Sequence, residues 1–257
     1  MHRAQFRFYA ELNDFLPKAR RSVAFEHAFS GGPSVKDAIE SLGVPHAEVD
    51  LILADGESVG FGWRVRDGAR VSVYPVFESI DIAPLSRVRP APLREIRFLL
   101  DGHLGRLARF LRMVGFDADY GRDASDEELA RAAAEQGRVL LTRDRGLLKR
   151  RMVERGYCVR ESIAERQLGE VVRRFDLYRL IAPFRRCLCC NVPLEAALRE
   201  EVVHQVPPRV RERHEAYRRC GACGRIYWAG SHHRRMVRLI DEVLANGPTS
   251  ARSDRVS

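Results

Sequence analysis

Between residues 1 and 85 apolar and polar positions alternate in short runs. Gln5–Ala10 puts Phe6 and Phe8 on one face, and Ser22–Phe29 alternates likewise. The two runs predict a hairpin, with Asn13–Arg20 as its connection. The period then lengthens: Val35, Ile39 and Leu42 fall at helical spacing behind Ser34, a suitable cap, and Gly43 ends the segment. Val49–Ala54 and Val71–Phe77 return to a strand pattern, with Asp55-Gly56 and Asp67-Gly68 marking hairpin turns. Ile82–Leu93, with three prolines, reads as a semi-extended linker.

Beyond the linker the pattern changes to continuous apolar runs separated by helical stretches. Strands are predicted at Arg94–Leu100, Phe116–Tyr120, Val139–Leu141 and Tyr157–Arg160. Between them lie a helix with Leu104, Leu107, Ala108 and Leu111 on its apolar face, and one buried through Leu129, Ala132 and Ala133. Arg145–Arg155 and Ile163–Phe175 are read as further helices. Such an alternation predicts an α/β fold: a parallel sheet with helices on both faces.

Parallel strands share one carboxyl edge, and acids collect there. Asp101 follows the first of these strands, Asp144 follows the third, and the loop after the second leads into Asp126 and Glu127. Carboxylates that converge from separate strand ends suit a hard divalent cation, Mg or Mn, which takes oxygen ligands. Glu128 stands at capping-box spacing from Ser125 and is accounted for by the helix start. Arg106 and Arg109, with Arg112, form a row on one helix, and Arg143 precedes Asp144. These cations can meet phosphates beside the acids, although a solvated face would look the same.

Charge sharpens this picture. Residues 1–85 hold nine Lys/Arg against twelve Asp/Glu, whereas the whole chain carries +9, so the basic excess lies entirely in the later two-thirds. A polyanionic partner such as RNA fits that distribution. No apolar run approaches the roughly 18 residues of a membrane span. The first residues alternate without a signal-like apolar core, which predicts a cytoplasmic protein with no membrane partner.

Six cysteines in such a chain point to metal. Cys187-x-x-Cys190 and Cys220-x-x-Cys223 form two knuckles whose four thiolates would close a structural zinc site. Gly224 follows the second knuckle where a left-handed residue is wanted, and Asn191 fills that position in the first. Cys189 is read as a spare thiol, Cys158 as a buried one, and His232 and His233 as non-ligands. Arginines from Arg209 to Arg225, with Tyr217, Tyr227 and Trp228, offer a surface suited to single-stranded nucleic acid. Met236, Leu239, Ile240, Val243 and Leu244 predict a closing amphipathic helix.

Two resemblances follow from these residues. The strand–strand–helix–strand–strand order up to Phe77 resembles the ubiquitin-like β-grasp fold of ThiS/MoaD-type sulfur carriers. Those carriers end in a reactive Gly-Gly; here Tyr74-Pro75-Val76-Phe77-Glu78 runs on, so a docking module with a protein partner is expected instead. FLLDGHLGRLARFLRMVGFDADY, SDEEL and VLLTRDRGL resemble the PIN-like RNase domain named after the C-terminal part of the mut-seven nuclease. That resemblance implies a metal-dependent ribonuclease with Asp101, Asp126 and Asp144 as its acids and an accompanying zinc ribbon. The fourth acid of PIN nucleases has no evident match. With the linker and the tail read from the residues themselves, the expected layout is 1–81 ubiquitin-like, 82–93 linker, 94–180 nuclease core, 181–246 zinc ribbon and closing helix, 247–257 disordered tail. A non-catalytic RNA-binding or ribosome-associated adaptor of the same fold is the alternative. A receiver-type phosphoryl-transfer domain is disfavoured, because Glu161 stands where a lysine is needed.

Overall fold

The computed structural model describes residues 1–75, 86–88 and 95–247. The expected linker and C-terminal tail therefore lie largely outside the described residues, as do the end of the strand expected at Val71–Phe77 and the start of that expected at Arg94–Leu100.

The first elements are strands β1 (His2–Phe8) and β2 (Phe25–Phe29), helix α1 (Val35–Ser41), and strands β3 (Val49–Ala54), β4 (Glu57–Ser58) and β5 (Arg70–Pro75). Next come β6 (Phe98–Leu100), α2 (Gly105–Met113), β7 (Ala118–Tyr120), α3 (Asp126–Gln136), β8 (Val139–Thr142), α4 (Arg145–Leu148) and β9 (Gly156–Cys158). The chain closes with α5 (Ala164–Arg174), β10 (Leu194–Ala197), the short helices α6 (Arg199–Val202) and α7 (Pro208–Arg211), β11 (Tyr217–Cys220), β12 (Ile226–Tyr227) and α8 (Ser231–Ala245). The protein thus combines parallel strands flanked by helices, an N-terminal β-grasp-like sheet and a cysteine-bearing ribbon. It divides into two compact units, Met1–Glu95 with Ala124–Cys158, and Ile96–Asp123 with Val159–Ser257.

In the first unit the β-grasp sheet has strand order β2-β1-β5-β3-β4. The expected hairpin forms: β1 runs antiparallel to β2, and Ala4, Phe6 and Phe8 alternate into the core. Ser34 caps α1 by accepting from the Asp37 amide. Asp55-Gly56 makes the tight β3–β4 hairpin, with both residues at positive φ. Asp67-Gly68 is not a hairpin turn. It leads into β5, which pairs parallel with β1 and antiparallel with β3, so that β1 and β5 are central neighbours.

The same unit holds α3, β8, α4 and β9, with β8 and β9 parallel. Ser125 and Glu128 form the reciprocal capping box, and Gly137 ends α3 in the left-handed conformation, φ +60°. The helix expected over Arg145–Arg155 stops at Leu148. The chain there turns to bury Val153, and Lys149 Nζ donates to the Glu40 carbonyl of the β-grasp sheet's helix at 2.9 Å. The strand expected at Tyr157–Arg160 lies one residue earlier and ends at Cys158.

The β-grasp elements cover this αβ segment. Glu48 is fully buried, and its Oε1 accepts from the Cys158 amide of the edge strand β9 at 2.6 Å. A Cβ added to Gly156 would stand 3.5 Å from Ala47 Cβ, so the strand passes close against the N-terminal module.

In the second unit β6 pairs parallel with β7, and all three β6 side chains are buried. Helix α2 packs on β7 and α5, and α5 on α8, where Ile240 and Val243 are buried. In the antiparallel sheet β10-β11-β12, Cys220 ends β11, and Cys187, Cys190 and Cys223 lie in the turns beside it.

Candidate functional site

The thiols form one constellation. Cys187, Cys190, Cys220 and Cys223 bring their sulfurs within 4.8 Å of one another, the one such His, Cys, Asp or Glu group among the described residues. Both knuckles use one backbone recipe. The Asn191 amide donates to the Cys187 carbonyl at 3.0 Å, and the Gly224 amide to the Cys220 carbonyl at 2.9 Å. Asn191 sits at φ +65° and Gly224 at φ +70°, the left-handed region expected at both turns.

This donor set fits a tetrahedral ion. Four sulfurs about 2.3 Å from a zinc would stand about 3.8 Å apart, and Cys187 Sγ lies 3.7 Å from Cys223 Sγ. Burial pushes the Cys187 thiol up, but Tyr227 Oη, 3.1 Å from the sulfur, and the Cys190 and Cys189 amides outweigh it and bring it down to about 6. Cys190 is pushed the other way, first by its hydrogen bond with Cys223. Cys189 is exposed and outside the cluster, Cys158 is buried, and His233 packs on the Phe184 ring at 4.3 Å.

The first knuckle is docked onto the αβ elements of its own unit by residues whose part the sequence hid. Asn191 Oδ1 accepts from the Ala118 amide at 3.1 Å, and its Nδ2 donates to Asp117 Oδ1 at 2.8 Å. Arg112 is buried; its Nε donates to the Ala118 carbonyl at 2.8 Å and its Nη1 to the Leu188 and Cys189 carbonyls at 3.2 and 2.7 Å. The arginine row therefore splits. Arg106 is exposed and paired with Glu165 at 3.0 Å, Arg109 is exposed, and Arg112 is a structural strut.

The acids are placed in their separate units. In the second unit Asp101 follows β6, is 5% exposed, and caps the next turn by accepting from the His103 amide at 2.9 Å. In the first unit Asp144 follows β8 and is exposed; its Oδ1 accepts from the Gly146 amide at 2.6 Å, while Thr142 Oγ1 accepts from the Asp144 amide. Asp126 opens α3 and faces Arg150 at 3.5 Å, and Glu127 pairs with Arg131 one turn on. Arg143 is exposed between β8 and Asp144.

Asp101 and Asp144 thus close parallel strands, as the strand pattern anticipates, and the four thiols sit on a separate small sheet. Comparison with known families decides what this arrangement belongs to. The family model described as "Mut7-C RNAse domain" matches residues 96–240, and that described as "Mut7-C ubiquitin" matches residues 1–81.

The chain belongs to the Mut7-C RNase domain family.

Among curated proteins no relative matches. Among solved structures, the small archaeal modifier protein 1 of H. volcanii is similar at 17% identity and a TM-score of 0.24, over 29% of this chain and 98% of that one. In this Mut7-C protein the RNase match spans both the acid-bearing strand ends and the four-cysteine cluster, and the ubiquitin match spans the β-grasp sheet.

Proposed function

We propose that this protein is a metal-dependent ribonuclease that hydrolyses phosphodiester bonds of unpaired RNA, with its thiol cluster loaded with structural zinc. The observation that carries this reading is a chain of the Mut7-C RNase family with an aspartate directly after strand β6, Asp101, and another, Asp144, separated from the end of strand β8 by Arg143 alone. Asp126 is the third acid of the reading, and Glu127 supports it.

Mg or Mn bound at strand-end carboxylates of this kind would activate water and stabilise charge at the phosphorus. The chain's residues supply the rest. Thr142 Oγ1 holds the Asp144 backbone amide and the Gly146 amide holds its carboxylate, the His103 amide fixes Asp101, and Arg106, Arg109 and Arg143 neutralise phosphate. The four thiolates leave no open position on a zinc, so zinc holds the ribbon rather than reacting.

The adaptor reading has one observation in its favour: Asp101 and Asp144 each cap a turn, a duty that needs no catalysis. Cleavage of a single-stranded RNA with added Mn²⁺ separates the two. The ribonuclease reading expects turnover that falls in Asp101→Asn and Asp144→Asn. Binding without cleavage in the wild-type protein establishes the adaptor, and undiminished cleavage in both variants removes the assigned acids.

A further inference from the structure

Within the second unit, α2 and the two knuckles enclose a cleft of about 550 Å³. Five arginines line it: Arg106, Arg109, Arg112, Arg122 and Arg225. None of its lining residues is acidic, although Arg106 reaches Glu165 at its margin. Arg112 forms its buried floor, held by three carbonyls; Arg109, Arg122 and Arg225 are exposed. Like charges gathered in a concavity repel one another, and an anion that enters is attracted by all of them. The guanidinium fork matches phosphate oxygens two at a time, and there is no lysine among these cations.

Its walls come from two sources. His103, two residues beyond Asp101, and Tyr120 belong to the αβ elements, whereas Leu188, Cys189 and Arg225 belong to the ribbon. The loop is built for close approach: a Cβ on Gly105 would lie 2.7 Å from Tyr120 Oη, which donates to the Gly102 carbonyl at 2.9 Å. Leu188 also lines a hollow of about 340 Å³, whose aromatic residues are Phe184, Tyr217, Tyr227, Trp228 and His233. An arginine cleft and an aromatic hollow joined at one side chain match the two ends of a nucleotide. Aromatic faces stack on unpaired bases, which a duplex keeps inside its own stack.

We propose that the arginine cleft seats the phosphate backbone of unpaired RNA and that the adjoining aromatic hollow takes one of its bases. This rests on the ribonuclease reading and deepens it: the ribbon completes the substrate-holding surface, and His103, two residues beyond Asp101 in the chain, lines the cleft. A metal outside the chemistry thereby governs the grip on substrate.

The test uses the full zinc-loaded chain, a fluorescein-labelled U12 RNA and no added Mg²⁺ or Mn²⁺, read by anisotropy. Arg109→Glu and Arg225→Glu should each weaken binding about tenfold or more and flatten the salt dependence by roughly 0.7 in log–log slope per lost phosphate contact. Arg173→Glu, an equal charge change at an exposed position of α5, should leave both unchanged. The chain has two tryptophans, so Trp63→Phe leaves Trp228 as the reporter. U12 should quench its emission and slow iodoacetamide labelling of Cys189; a blunt duplex should do neither.

Equal losses in all three glutamate variants, or none in any, overturn the cleft. So does polyglutamate that displaces U12 at matched charge, since the surface would then be one for acidic peptides. Unchanged Mn²⁺-dependent cleavage in Arg109→Glu and Arg225→Glu rejects the cleft and leaves the ribonuclease reading standing. Cleft-dependent binding without cleavage does the reverse.

Discussion

The thiols and the carboxylates are both candidate metal ligands, and the protein treats them differently. The four cysteines converge on one point from two knuckles whose turns share the same backbone hydrogen bond and left-handed residue. The acids each hold a local post: Asp101 and Asp144 cap turns, Glu127 meets Arg131, and Asp126 meets Arg150. A thiolate has few other uses in such a fold, so spacing alone reveals it. A carboxylate at a strand end is also a good cap, and its position serves two chemistries at once.

The largest effect expected from breaking this contrast is at the thiols. Structural zinc contributes roughly 10–16 kcal/mol of apparent binding free energy to small modules. Cys220→Ser, or chelation verified by metal analysis, should therefore abolish the ribbon's thermal transition, read by calorimetry. A transition unchanged after zinc loss removes the structural-metal assignment.

Next in size are the acids. Loss of several kcal/mol of transition-state stabilisation corresponds to about 10²-fold or more in kcat/KM. Asp144→Asn should show that loss in Mn²⁺-dependent RNA cleavage while its melting temperature stays near wild type, because the amide oxygen still accepts from Gly146. A fall in stability that matches the fall in rate would make Asp144 a cap only.

The two knuckles allow a finer test. Asn191→Gly keeps the left-handed turn but deletes the bonds to Ala118 and Asp117, each worth about 0.5–1.5 kcal/mol. Gly224→Asn keeps the turn and deletes nothing. Denaturant titration should show the first variant less stable by about 1–3 kcal/mol, and the second near wild type. Equal effects would show that the first knuckle is not anchored through Asn191.

The smallest effect belongs to α3. Ser125→Ala should cost about 1 kcal/mol through the lost cap. The hydrogen bond from the Ser125 amide holds the Glu128 carboxylate below its ordinary range. Its folded value lies under its unfolded one, so its contribution is present above the unfolded value and fades as the pH falls through the folded one. Stability measured down an acid series should lose that slope in Glu128→Gln.

Legibility followed the range of the interactions. Ser34, Ser125, Glu128, Gly137 and Gly224 act on backbone a few residues away, and the sequence announces each; of Asn191 it announces the left-handed turn but not the bonds to Ala118 and Asp117. Arg112 reads as one of three arginines on a helix, because its acceptors at Leu188 and Cys189 lie some 76 and 77 residues on. The truncated α4 was hidden for a related reason. Its residues continue a helical pattern, but Val153 is drawn into a core that only the folded chain creates. The strand-end acids were legible as positions; what they hold is a matter for the assays above.

Glu48 has a consequence that is colloidal rather than catalytic. An edge strand presents bare amides to any passing chain, and β9 has the Cys158 amide occupied by a carboxylate from the N-terminal module. The β-grasp module, whose chain runs on where a sulfur carrier would end, thereby acts as a permanent bumper for its own neighbour. Glu48→Leu should keep the module's volume but uncover that amide, and light scattering on standing would then report self-association before any change in RNA cleavage. Producing residues 96–240 alone would carry the same hazard, because that range leaves Glu48 out.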